Sequence, residues 1–371
     1  MLTVIVIGVV CLVLLEGIVR LIFPRPRLRM EPQVQIDLDE VLGYCNRPNQ
    51  QAFTVEAPAA INSLGFRGPE VKLAREANDV RILGLGNSLT FGSGVRDDET
   101  YLAYANKKLK DKNPDRRIDI LNAAIVGFTI RQYIPFLRGV LPKVQPDIVL
   151  LGAHWRDLHF NPRFGQLKKN IDAQTWHLVK KKFKERVAKC DPPETLKEKF
   201  IRQLKNFIRR WRTAFVAIYY IQVLRDQFKI PTFKQWQTAF LSGEETEPIK
   251  QRRVETRKTL SQMKQICEAQ NVKLAIVIFP DFKQLNNDFP KSTWPGLLTE
   301  VCDELAIPYL KLLPAVQDAY KKRGRSILMP YDPVGHYNIE GHIAIGEALV
   351  DFLTQEKSLH VLRDVSVAVV G

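Results

Sequence analysis

Short continuous apolar runs alternate with longer stretches of helical periodicity over most of this chain. The runs predict strands at Val80–Gly86, Ile118–Ile125, Asp147–Ala153, Lys273–Pro280 and Tyr309–Leu312. Between them, helices are predicted at Glu99–Lys112, Thr129–Leu141, Arg253–Gln270, Trp294–Leu305 and Glu340–Leu353. Strands that stay apolar on both faces and are separated by helices imply a parallel sheet covered on both sides. The predicted class is therefore α/β, an α/β/α sandwich around a doubly wound, mainly parallel sheet. Ligands of such sheets bind beyond the carboxyl ends of the strands.

Two segments depart from that alternation. Leu2 to Leu15 contains no charged residue, and Ile18, Val19 and Leu21 to Phe23 extend the run to about the length that spans a bilayer. Glu16 and Arg20 are four apart, so they can pair on one helix face at the membrane boundary. A cleaved signal peptide is the competing reading. The run lacks its basic start and small-residue cleavage site, so residues 1–23 are taken as a retained single-pass transmembrane anchor. Arg20, Arg25, Arg27 and Arg29 follow the run, which by the positive-inside rule places the body in the cytoplasm. Residues 24–78, rich in Pro, Asn and Gln at their start, read as an extended linker and lead-in.

The second departure is a basic helical insertion at 166–249. Ile201, Leu204, Phe207, Ile208, Trp211, Phe215, Ile218 and Tyr219 fall on one helix face, with Lys205, Arg209, Arg210 and Arg212 on or beside the other. Three readings stand: a helix packed on the domain with a solvated basic side, an interfacial helix on anionic lipid, or a surface for a partner subunit or lid. The α/β domain then occupies 79–165 and 250–356, and 357–371 form a tail.

Charge sharpens this division. The chain of 371 residues carries +15, and +11 of it lies between Lys168 and Lys229, where seventeen basic residues face six acidic ones. Outside the insertion the chain is nearly neutral, and no zinc finger, RNP or helix-turn-helix pattern occurs, so nucleic acid is not an expected partner. The cysteines, Cys11, Cys45, Cys190, Cys267 and Cys302, are odd in number, widely spaced and without a CxxC. They indicate neither zinc nor a disulfide framework. Cys267 and Cys302 read as small core residues of helices.

The candidate chemistry sits at the ends of the apolar runs. Val80–Gly86 leads into a glycine-rich turn that presents Ser88, and Asp332 and His336 follow some 250 residues later, ahead of the last helix. A serine needs a base to take its proton and a carboxylate to orient that base. Other chemistries fit less well. Leu89 stands where a dinucleotide fingerprint needs its third glycine, and there is no Walker lysine. His154 and His159 flank Asp157 at a spacing that matches no metal pattern, and they read as a polar loop by the site. His342 reads as a packing or hydrogen-bonding residue of the final helix, and His177 and His360 as surface. No cofactor and no metal are implied.

As a set, these residues resemble the SGNH, or GDSL-type, hydrolase superfamily in its bacterial membrane-anchored branch. Gly86-Asn87-Ser88 is similar to its first block, Ile120 through Gly127-Phe-Thr to its second, and Pro146-Asp-Ile-Val-Leu-Leu-Gly with Arg156-Asp157 to its third. Asp332 and His336 match the last block, and Ile61-Asn-Ser-Leu-Gly-Phe-Arg-Gly-Pro-Glu70 resembles this branch's lead-in. The resemblance implies a flavodoxin-like SGNH fold, Ser88 as nucleophile, His336 as base and Asp332 as its orienting acid. It implies Gly127 and Arg156 at the oxyanion hole, with Asn87 and Asp157 in support. Two positions depart from the pattern: Asn87 replaces the usual aspartate, and Arg156 falls where strand counting places the usual asparagine. Asp332 and His336 are also one residue further apart than the family has them, which Gly335 can absorb by taking φ > 0. The implied activity is that of a serine esterase or acyltransferase acting on acyl or acetyl esters of an envelope glycan or lipid. The implied place is the bacterial inner membrane with the domain in the periplasm. The competing class is a catalytically degenerate accessory subunit with a membrane-protein partner.

Overall fold

The computed structural model describes residues 2–23, 30–158 save 40 and 77, 238–286 and 292–355 save 331, 333 and 334, with isolated positions at 204–221, 289 and 359. His159, most of the basic insertion with His177, and most of the tail with His360 lie outside the described residues.

Five strands form the central sheet: β5 (Val80–Gly86), β6 (Ile118–Asn122), β7 (Ile148–Ala153), β8 (Lys273–Ile278) and β9 (Tyr309–Lys311). Their order is β6-β5-β7-β8-β9, every pair parallel. The first crossover reverses the direction of winding, so the switch point lies between β5 and β7, where ligands bind in doubly wound sheets.

Alternation along each strand separates two cores. Leu83, Leu85, Val149, Leu151, Ile276 and Ile278 face helices α4 (Ile130–Val144), α6 (Glu247–Glu268) and α7 (Gly296–Glu304). Val80, Ile82, Ile148, Leu150, Ala275 and Val277 face α3 (Tyr101–Lys112), α8 (Leu313–Arg323) and α9 (Ile339–Gln355). Apolar burial on both faces accounts for the unbroken apolar strands. Cys267 and Cys302 are buried in the first of these cores.

The lead-in is more ordered than an extended linker. Two antiparallel pairs, β1 (Ile36–Asp39) with β2 (Gly43–Asn46) and β3 (Gln50–Thr54) with β4 (Ala57–Ile61), lie within it. Isolated bridges then link Ile61 to Arg67 and Arg67 to Asn122 at the end of β6. Arg67 is the bolt of this arrangement. Its side chain is 1% exposed and its Nε donates to Asp97 at 2.7 Å. Its Nη1 donates to the carbonyls of Phe91 and Gly92, at 2.6 and 2.7 Å, in the turn after Ser88. Removing one partner of a buried pair strands the other charge, at about 3–5 kcal/mol. Arg67→Met is therefore expected to destabilise the chain by about that much in urea unfolding. A loss below about 1 kcal/mol would remove Arg67 from this role.

At the other end, helix α1 (Leu2–Ile22) exposes an apolar surface that includes Val6, Ile7, Val10, Leu12, Val13, Leu14, Ile18 and Leu21. Among the described residues, no helix is long and apolar enough to cross a membrane, so the transmembrane anchor expected at 1–23 finds no support there. The side chains of Leu2, Val4, Ile5 and Val9 fall outside that description. Glu16 and Arg20 do pair, at 2.7 Å. Glu16 also accepts from the backbone N–H of Arg212 at 2.9 Å and from the Thr213 hydroxyl at 2.7 Å, so the carboxylate ties α1 to the start of a later helical stretch.

Candidate active site

Ser88 opens the short helix α2 (Ser88–Phe91) immediately past β5. The turn is possible because two glycines clear the space beneath it. Gly86 pairs with Gly152 across β5 and β7, and a Cβ on either would meet the Thr90 side chain at 2.1 Å. With both bare, Thr90 drops between the strands and α2 sits close against the sheet end, aiming Ser88 outward.

His336 and Asp332 come from the loop before α9. The Ser88 Oγ lies 2.7 Å from His336 Nε2, and His336 Nδ1 lies 2.5 Å from Asp332 Oδ2. The same carboxylate oxygen accepts the backbone N–H of His336 at 2.8 Å, fixing the loop as well as the ring. Gly335 has φ 82°, and a Cβ there would meet Phe282 at 2.6 Å, so the extra residue between acid and base is absorbed by a position only glycine fills easily. The Met329 N–H bonds the His336 carbonyl at 2.8 Å, anchoring the loop from the other side. Serine, imidazole and carboxylate form one hydrogen-bonded line, with both ring nitrogens engaged.

Beneath that line lies a buried polar pair. Asn87 accepts from the Leu89 N–H through Oδ1 at 2.8 Å, capping α2, and its Nδ2 donates to Asp157 Oδ1 at 2.5 Å. The other Asp157 oxygen accepts the His154 N–H at 2.8 Å. Complete burial pushes the Asp157 carboxyl up to about 7, against the lowering effect of those two hydrogen bonds and of the Arg156 charge. An amide at 87 therefore faces a carboxylate at 157. Both carboxylate oxygens and the amide are satisfied, which is a physical account of the asparagine in the first block.

The remaining predicted residues are placed as follows. After β6 the chain continues along β5, Ala123 N–H bonding the Gly84 carbonyl and Ile125 N–H that of Gly86. Gly127 follows, exposed, with φ 79° and a Cβ position 3.0 Å from the Tyr44 hydroxyl. Arg156 lies in helix α5 (Trp155–Leu158), its guanidinium 5.3 Å over the Trp155 ring. Burial works against its charge, which the carboxylates of Asp281, Asp332 and Asp157 support. His342 is buried on α9, accepts the Tyr101 N–H through Nδ1 at 3.2 Å and stacks on the Tyr101 ring. Among the described residues, no cluster of His, Cys, Asp and Glu could hold a metal ion.

Two residues near the site were given no role in it from the sequence. Asp281 follows β8, is fully buried and accepts from Trp155 Nε1 at 2.7 Å, so it holds the aromatic floor below Arg156. His154, the first residue past β7, lies in the short loop expected by the site and is 2% exposed. Strand register across neighbours is the signal that finds it, and register is not readable from one strand's composition.

No family model matches the chain, and no curated protein matches it in sequence. Solved structures similar to it include an alpha/beta hydrolase enzyme from the metagenome of Lake Arreo, Spain. It is 14% identical over 74% of this chain and 95% of its own, with a TM-score of 0.42. An acetylxylan esterase from Geobacillus stearothermophilus is 13% identical over 74% of this chain and 94% of its own, also at 0.42. A putative lipolytic protein of the G-D-S-L family from Desulfitobacterium hafniense is 12% identical over 74% and 99%, at 0.37. Likenesses this distant assign no role to any residue here.

Proposed function

We propose that this chain is a serine hydrolase of the SGNH type, an esterase or acyltransferase. The observation that carries the reading is the unbroken Ser88–His336–Asp332 line, at 2.7 and 2.5 Å. Ser88 Oγ attacks an ester carbonyl carbon as its proton passes to His336 Nε2, and the carbonyl π pair moves onto oxygen. Asp332, accepting from Nδ1, holds the tautomer and stabilises the imidazolium. When the tetrahedral species collapses, the carbon–oxygen bond to the leaving alcohol breaks and His336 returns the proton to it. Water, or an acceptor hydroxyl in a transferase, then repeats the sequence on the acyl-serine. Backbone N–H groups of Ser88 and Gly127 face the developing oxyanion, with the Arg156 charge near by. A degenerate accessory subunit has no need of an engaged serine–imidazole pair. Turnover of p-nitrophenyl acetate that disappears in Ser88→Ala is the test, and a wild-type chain without turnover would favour that accessory role.

The substrate class in this proposal is an acyl or acetyl ester on an envelope glycan or lipid, and the place is the bacterial inner membrane with the site on the periplasmic side. Attachment runs through the exposed apolar surface of α1, a contiguous patch of the kind that marks a contact with protein or membrane. The Glu16 hydrogen bonds from Arg212 and Thr213 support this reading, since they hold Arg212 against α1, and lysines and arginines attract anionic lipid at about 1 kcal/mol each. The full chain is expected to float with liposomes. A chain lacking residues 1–30 is expected to bind anionic liposomes alone, and more weakly as salt rises. If the full chain ignores neutral and anionic liposomes alike, membrane attachment is wrong.

A further inference from the structure

Resting on the serine hydrolase reading, we propose that His154 is a catalytic residue: its Nε2–H donates a hydrogen bond to the oxyanion formed when Ser88 attacks the ester carbonyl. The first argument is register. Gly86 and Gly152 are paired on adjacent parallel strands, and Ser88 and His154 each stand two residues beyond them. Neighbouring strands are about 4.8 Å apart, so the two residues leave the sheet at one level and side by side. Arg156 lies two residues further on, within α5, and its charge is already attended by three carboxylates.

The second argument is the tautomer. His154 Nδ1 accepts the backbone N–H of Arg156 at 3.3 Å. A neutral imidazole that accepts at Nδ1 carries its proton on Nε2. The ring stays neutral, because burial and then the positive charges of Arg156 and His336 hold its pKa well below the ordinary histidine value. It therefore offers a donor without adding charge beside the imidazolium that His336 becomes during turnover. Among the described residues, no protein group accepts from Nε2, although the three other polar atoms of the residue are engaged.

The third argument is rigidity. Rings of Trp155 and Trp294 lie 5.4 and 6.2 Å from the imidazole, and Asp157 fixes its backbone N–H at 2.8 Å. A donor that need not reorganise is what stabilises an oxyanion effectively. If packing alone mattered, phenylalanine between two tryptophans would serve as well.

That comparison is the experiment. His154→Phe keeps an aromatic ring but has no donor, whereas His154→Gln places an amide N–H close to the position of Nε2. We expect kcat for p-nitrophenyl acetate to fall by about 10²–10³-fold in H154F, with KM little changed, and H154Q to recover at least about tenfold of it. Affinity for a boronic acid that forms a tetrahedral adduct on Ser88 should fall in parallel with kcat. If H154F does not fold, His154→Met, also without a donor, replaces it. Wild-type turnover in the donor-free variant, or equal losses in H154Q and H154F, would overturn the role. A Ser88→Ala control run alongside separates the two failures. Turnover independent of Ser88 removes the hydrolase reading together with this role, whereas Ser88-dependent turnover unaffected by H154F removes this role alone.

Discussion

Ser88→Ala is expected to lower kcat/KM for p-nitrophenyl acetate by at least about 10³-fold while leaving the unfolding midpoint unchanged. Among the described residues Ser88 makes one side-chain hydrogen bond, to His336, at a half-buried position beyond the sheet, so little of the fold depends on it. His336→Ala should lose a similar amount. The double variant should be no worse than either alone, because serine and imidazole act as one unit whose losses are not additive. Losses that instead multiply would mean that the two side chains act independently, and the hydrogen-bonded line would not be the catalytic device.

Exchanging the partners beneath the nucleophile should change stability in a way that only a paired interaction can. In Asn87→Asp alone, a second carboxylate meets Asp157 where Asn87 Nδ2 now stands 2.5 Å away, in a buried site. Like charges there force one group to hold a proton; Asp157, at about 7, already holds one in acid, so the loss of stability should grow as pH rises above 7. Asp157→Asn alone leaves either Asn87 Nδ2 or the His154 N–H without an acceptor, a loss of about 1–3 kcal/mol. The double exchange restores every bond. The new carboxylate at 87 would accept from Leu89 and from the amide at 157, and that amide oxygen would accept from His154. Stability of the double variant should return to within about 1 kcal/mol of wild type; additive losses would show that the pair does not interact as described.

Asp157 also gives the chain a pH signature. Its native pKa, about 7, lies above the ordinary aspartate value of 3.8, so between these limits the native state holds a proton that the unfolded state has released. Stability must then fall as pH rises through that window, the reverse of the usual salt-bridged carboxylate. Asp157→Asn should flatten this slope when urea midpoints at pH 5 and pH 7.5 are compared.

The sheet was legible in the sequence because strands buried on both faces cannot tolerate polar residues, and each run in turn marks the end where a ligand binds. Helix α8 escaped because Pro314 reads as a breaker, although proline fits the first turn of a helix. The hairpins of the lead-in escaped for a different reason. Strands of four or five residues show too little alternation, and the β3–β4 turn uses Val55 at φ 60° in place of a glycine. Within the site, Ser88, Asp332 and His336 were visible by type and order. The roles of His154 and Asp281 depend on which strands are neighbours, information that no single segment contains.

The most direct measurement is mass spectrometry of the purified chain after treatment with a fluorophosphonate. Activated by His336, Ser88 should displace fluoride and retain the phosphonyl group, giving one adduct that maps to the peptide containing Ser88. That adduct should be absent in Ser88→Ala and strongly slowed in His336→Ala. An unmodified wild-type chain, or an adduct on another residue such as Ser93, would contradict the account.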